Sequence, residues 1–208
     1  MSSPRKALGA AQARVLRAVG PVLQGRGFYL AGGTALALQL GHRRSLDLDW
    51  FTALPFDDAN ALASGLRAEG IDFRKEAVGR GTLHGSVAGT RVSLLAFPYP
   101  MLGATRPCCV GACEMASLDD LAAMKLSAVA QRGSRKDFVD IYALIVRHAS
   151  LERMLDGYRR KFSMRETGHA VYALTYFDDA EKEPMPEMLW DVPWRVIKRA
   201  IAKEVRKL

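Results

Sequence analysis

Residues 29–52, YLAGGTALALQLGHRRSLDLDWFT, decide how this chain is read. FYLAG (28–32) has the character of a short strand. Gly32 and Gly33 form a turn, Thr34 stands at a capping position, and ALALQLGH continues as one helix that ends near Gly41. SLDLDWF then alternates with period two, which puts Leu46, Leu48 and Trp50 on one face of a strand and Asp47, Asp49 and Phe51 on the other. A strand that only packed a core would not need two aspartates on the same side.

Upstream, residues 5–24 carry Leu8, Ala11, Val15, Leu16, Val19 and Val22 at near-helical spacing, with Pro21 as a late kink or break. Downstream of Pro55, residues 57–69 read as a helix, and IDFRKEAVG, TLHGSVAG and TRVSLLAF are three β-like runs divided by glycines, a meander that makes the sheet mixed. From Ser117 the pattern becomes helical. SLDDLAAMKLSAVAQRG opens with an S-x-x-D cap and closes at Gly133, SRKDFVDIYALIVRHA follows, and further helices are expected over 150–161 and 166–175. FDDAEKEPMPEMLWDVP (177–193) reads as a surface loop before a basic C-terminal helix. The expected fold class is α+β: a core domain over 1–115 with a mixed sheet flanked by helices, then a helical domain over 116–208 that completes the active-site cleft.

With 208 residues, 49% of them hydrophobic and 25% charged, the chain can bury a substantial core. It has no run of eighteen apolar residues and its first residues lack an apolar signal region, so neither a membrane span nor secretion is expected, and the expected location is cytoplasmic. The net charge of +8 is concentrated at the front, where residues 1–45 contain Lys and Arg but no Asp or Glu. Such a flank suits polyanions such as nucleic acid or nucleotide phosphates, and it equally serves solubility. Cys108, Cys109 and Cys113 are too crowded for a disulfide framework or a paired zinc motif and read as small buried hydrophobes; the competing reading is a zinc site completed by His84.

Two residues apart on a strand, Asp47 and Asp49 have Cα atoms about 6.6 Å apart on one face. Carboxylates this close repel unless a cation lies between them, and the cation that binds through one or two carboxylates plus substrate phosphates is Mg²⁺. The plainer alternative is a solvent-facing strand edge. The strand, glycine turn and helix before them offer backbone N–H groups and a helix N-terminus to anions, although GGT lacks the further glycine of a dinucleotide fingerprint and the GK[ST] of a P-loop.

AGGTALALQLGHRRSLDLDWFT, with thirteen residues from Thr34 to Leu46 between its two halves, resembles the signature of the polymerase-β-like nucleotidyltransferase superfamily. SLDDLAAMKLSAVAQRGSRKDFVDIYAL is similar to the AbiEii/AbiGii group within it, the nucleotidyltransferase toxins of abortive-infection, type IV toxin–antitoxin systems. The resemblance implies an enzyme that transfers NMP from an NTP, with Mg²⁺ or Mn²⁺, to an acceptor such as RNA or tRNA, and a cognate antitoxin encoded nearby. Gly32, Gly33 and Thr34 would hold the triphosphate, Asp47 and Asp49 the metal, Lys125 the phosphates, and Asp137 would be the catalytic acid of the second block, with Asp140 close by and Ser45 lining the pocket.

The second block also reads physically. Lys125 and Arg132 share a helix face, as do Asp137 and Asp140, so two cations and two anions can meet in one cleft; the plainer reading is solvated pairs such as Lys136 with Asp140. Arg132 and Asp140 therefore join the candidate nucleotide-binding residues. The superfamily often places a third carboxylate on a later strand, where TRVSLLAF holds Ser93, so either Asp137 supplies that acid or the site works with two. Of the rest, His42 reads as a helix C-terminal residue complementing the dipole, with Arg43 and Arg44 beside it as a rim. His84, His148 and His169 show no metal or triad spacing, FPYPML (97–102) reads as a loop packed on the core, and Trp190 and Trp194 anchor the last helix. Two rivals to the enzyme remain: a non-enzymatic module of the same fold that binds nucleic acid or a partner protein, and a phosphotransferase acting on a small molecule.

Overall fold

The computed structural model describes residues 4–208; residues 1–3, where the expected core domain starts, lie outside it. A short 3₁₀ turn (Pro4–Ala7) precedes α1 (Ala10–Gly25). The single helix expected over 5–24 is thus divided, because Gly9 is extended. Pro21 does not end α1: the usual penalty of an interior proline, about 3 kcal/mol, is offset by burial of Val15, Leu16, Val19 and Leu23 along one face.

β1 (Tyr29–Ala31), α2 (Gly32–Leu40) and β2 (Leu48–Thr52) follow, then α3 (Ala59–Ala68) and the meander β3 (Phe73–Gly79), β4 (Thr82–Val87) and β5 (Thr90–Ala96). Gly41, in the left-handed region at φ 63°, ends α2 as expected. β2 begins only at Leu48, so Leu46 is outside it and exposed, while Leu48 and Trp50 are fully buried. Two strands the sequence did not signal, β6 (Arg106–Pro107) and β7 (Glu114–Met115), complete a mixed seven-stranded sheet of order β3-β4-β5-β2-β1-β7-β6. β2 is antiparallel to β1 and parallel to β5, and β7 runs parallel to β1.

The cysteines lie in the β6–β7 turn, where the Cys108 N–H donates to the Cys113 carbonyl at 2.8 Å. Only Cys113 is buried. Zinc shared with His84 is ruled out by topology: β4 and β7 are separated by three strands, about 19 Å at the usual strand spacing.

Helices α4 (Leu118–Gln131), α5 (Arg135–Arg147), α6 (Leu151–Phe162), α7 (Gly168–Ala173), α8 (Asp178–Glu181) and α9 (Trp194–Val205) follow. The Ser117 hydroxyl caps α4 by accepting from the Asp120 N–H at 3.1 Å. One buried cluster runs from Ala7 through Leu30, Trp50, Leu126 and Phe138 to Ile201. A buried ion pair, Lys161 with Asp120 at 2.7 Å, ties α6 to α4; Asp120 also accepts from the Leu102 and Gly103 N–H groups, and Lys161 donates to the Pro100 carbonyl. That pair holds the 97–102 loop on the core, as its composition suggested. Trp194 packs edge-on against Phe138 and Phe177, the anchoring role expected of it.

The expected surface loop 177–193 departs from the sequence reading. It contains α8, and its later part is docked: the Arg44 N–H donates to the Glu187 carbonyl, and the Leu189 and Trp190 N–H groups donate to the His42 carbonyl. Proline and acid content concealed this, because backbone bonding to a segment some 145 residues away leaves no local trace.

Candidate active site

The glycine pair is required by what crowds it. Gly32 opens α2 in the left-handed region at φ 64°, and a Cβ there would sit 2.9 Å from Asp49 Oδ2; a Cβ on Gly33 would sit 2.5 Å from Arg43 Nη2. Thr34 does not cap the helix. It is buried, and its hydroxyl bridges Ser45 Oγ and the Asp47 carbonyl, pinning the 45–47 segment to α2.

Asp49 lies in register with Ala31 of β1 and Ser93 of β5. Ser93 occupies the position where a third carboxylate was sought, directly opposite Asp49. Burial pushes the Asp49 carboxyl above its ordinary value and the neighbouring Asp47 charge adds to this, opposed by Ser93 and Lys125. Among the described residues neither Asp47 nor Asp49 has an ion-pair partner; the nearby cations pair with Asp137 and Asp140.

Asp137 and Asp140 are the opposite case. Lys125 Nζ lies 3.0 Å from Asp137 Oδ1 and 2.6 Å from Asp140 Oδ2. Arg132 Nε donates to Asp137 Oδ2 at 2.7 Å and Nη2 to Oδ1 at 3.0 Å, and Arg43 grips Asp140 in the same two-pronged way at 2.7 and 2.9 Å. His42 Nε2 completes the set, 2.7 Å from Asp140 Oδ1. Burial raises both carboxyls, yet the cations outweigh it: Asp140 stays well below the carboxylate range, chiefly through Arg43 and Lys125, and Asp137 is lowered through Arg132 and Lys125. For His42 burial wins and lowers its pKa.

This network revises several expectations. Asp140 is fully buried, and its oxygens are held by His42, Arg43 and Lys125. Asp137 has no exposed side chain and both oxygens engaged; it anchors Lys125 and Arg132 and does not stand as a third carboxylate beside Asp49. His42 and Arg43 are interior members of the network, not a rim, and Lys136 lines the cleft instead of pairing with Asp140.

Two clefts meet here. The first, about 330 Å³, is lined by Gly33, Ser45, Asp47 and Asp49, the cations Arg43, Arg44, Lys125, Arg132 and Lys136, and Glu187 of the docked loop. The second, about 420 Å³, is walled by Gly32, Gly33, Asp49, Lys125 and Arg132 and by Phe51, His84, Ser93, Phe97 and Met124. Thr34, Asp137 and Asp140 line neither. Sequence reasoning missed Arg43, Lys136 and His84; the only available signal for His84 was its position in a run paired with TRVSLLAF. Among the described residues no group of three His, Cys, Asp or Glu is placed to hold a metal ion; Asp47 and Asp49 are a pair.

A family model described as nucleotidyl transferase AbiEii toxin, type IV toxin–antitoxin system, matches residues 112–206, which include Lys125, Arg132, Asp137 and Asp140. A protein of Aquifex aeolicus is 30% identical over 186 residues, covering 86% of this chain and 87% of its own. The chain belongs to the AbiEii nucleotidyltransferase toxin family. This AbiEii chain also resembles two solved structures: the nucleotidyltransferase toxin MenT4 of Mycobacterium tuberculosis (TM-score 0.56, 14% identity, 95% of this chain and 82% of that one) and JHP933 of Helicobacter pylori (TM-score 0.54, 18% identity, 96% and 95%). At these identities the likeness establishes the fold, the polymerase-β-like nucleotidyltransferase fold. Membership of a toxin family implies an antitoxin partner. Among the described residues no helix is long and apolar enough to cross a membrane.

Proposed function

We propose that this AbiEii chain transfers a nucleoside monophosphate from an NTP to a hydroxyl of RNA, tRNA foremost, and that it does so in the cytoplasm as the toxin of a type IV pair. The observation that carries the reading is the contrast inside one cleft: Asp47 and Asp49 face it with no ion-pair partner among the described residues, while Arg43, Arg44, Lys125, Arg132 and Lys136 line the same cleft. Two adjacent, unneutralised carboxylates fit a divalent cation. Asp47 and Asp49 would hold Mg²⁺, which Mn²⁺ can replace, and the bound metal supplies positive charge to the phosphate oxygens.

The chain's own residues do the rest. The N–H groups at the start of α2, at Gly32 and Gly33, receive phosphate oxygens. Lys125 and Arg132, held by Asp137 and Asp140, neutralise the charge that grows on the departing pyrophosphate, and Ser45, fixed by Thr34, borders the same cleft. Asp137 and Asp140 are positioning residues here. Labelled NTP, Mg²⁺ and total RNA should yield labelled RNA, and Asp47→Ala or Lys125→Ala should abolish the label; label that survives both substitutions overturns the site. Ser93 in place of an acid favours the rival reading, a binding module without catalysis, and that rival predicts no metal-dependent heat when NTP is titrated in.

A further inference from the structure

His84 and the second cleft are left over from this account. β4, β5 and β2 are consecutive in the sheet, and in register His84 faces Ser93 and Ser93 faces Asp49. Directly opposed residues on neighbouring strands share a face, so the three side chains form one row, with His84 and Asp49 two strand spacings apart, about 9.6 Å between Cα atoms. The residue between them is a short serine. A third carboxylate would stand there; here Ser93 lines the cleft, and beyond it is an exposed imidazole.

The two clefts also differ in kind across Asp49. In a phosphoryl transfer the attacking and leaving oxygens lie roughly in line. The clefts share Lys125 and Arg132, but Arg43, Arg44 and Lys136 line only the first, which suits the pyrophosphate and leaves the other side for the nucleophile. That side is the cleft of His84 and Ser93, with Phe51 and Phe97 offering an apolar wall for a nucleoside.

Resting on the transfer reaction above, we propose that this second cleft seats the acceptor's terminal nucleoside and that His84 is a further catalytic residue, the base for its hydroxyl. The hydroxyl proton passes to the imidazole, the acceptor oxygen forms a bond to the α-phosphorus, and the bond from that phosphorus to the bridging oxygen breaks, releasing pyrophosphate into the cationic cleft. The other ionisable groups lining this cleft are Asp49 of β2, Lys125 of α4 and Arg132 just past its end. β3 brings Ala77 opposite it, with Lys75 and Glu76 at the adjoining bulge.

The test uses the full chain with Mg²⁺, labelled NTP and tRNA. His84→Ala should lower kcat about 100-fold, within the range of a lost general base, and leave calorimetric Mg²⁺·NTP affinity within about twofold. Added imidazole should restore at least about tenfold of the loss. The shape of the pH profile of kcat should differ between wild type and His84→Ala. In the His84→Ala background, Ser93→Asp should regain activity by supplying a carboxylate at that position. A variant within about threefold of wild type, or one that imidazole does not rescue and whose pH profile is unchanged, overturns the assignment. Wild type that binds Mg²⁺·NTP but labels no acceptor overturns the transfer reaction itself, and the role of His84 with it.

Discussion

Asp47 with Asp49 and Asp137 with Asp140 look alike on paper: two aspartates spaced to share a face, the first pair on a strand and the second on a helix. Their surroundings are opposites. The helical pair is saturated by Arg43, Lys125, Arg132 and His42, and its carboxyls are driven down; the strand pair has no ion-pair partner among the described residues, and burial with its own repulsion drives Asp49 up. Spacing therefore identifies where carboxylates meet, and only their partners decide whether they build the protein or await a ligand.

The largest effect that should separate the two pairs is on stability. Asp140→Asn strands Arg43 and Lys125 in the interior and should cost about 3–5 kcal/mol, lowering Tm by roughly 6–20 °C in a chain of this size; a thermal or urea melt measures it. Lys161→Met, in the other buried pair, should cost less, about 2–3 kcal/mol, because Asp120 keeps donors from Ser117, Leu102 and Gly103. On the strand side, Asp49→Asn should leave stability unchanged or raise it by up to about 1 kcal/mol, by removing a buried like-charge contact. Arg44→Ala, which loses only a half-exposed pair with Glu187, should change stability by less than about 1 kcal/mol.

Acid titration sharpens the same contrast. Asp137 and Asp140 have folded pKa values below the ordinary carboxylate value of about 3.9, so their stabilisation is complete above it and is lost only as pH falls through the folded values. His42 is lowered in the folded state, so the unfolded chain takes up its proton first and stability declines as pH drops below about 6.5. Unfolding free energy measured from pH 8 to 3 should show the His42 decline first, and His42→Gln should remove it.

Much of this was legible because it is local. The glycine pair, the strand alternation at Leu48 to Phe51, the Ser117 cap and the facing pairs Lys125/Arg132 and Asp137/Asp140 follow from spacings of a few residues. The misreadings share the opposite cause. His42 and Arg43 find Asp140 at separations of 98 and 97 residues. Thr34 resembled a cap because caps are its commonest local use, whereas its partners lie beyond the helix at Ser45 and Asp47. His84 emerges only once the register of three strands is fixed.

The central claim is that Asp47 and Asp49 lack ion-pair partners among the described residues because the cation that substrate brings fills that role. The rate of NMP transfer to RNA by Asp49→Asn, in a preparation melting at or above wild type, tests it most directly. The account predicts a loss of about 1,000-fold or more, the several kcal/mol a bound metal supplies. A variant that melts like wild type and transfers within about tenfold of it would contradict the account.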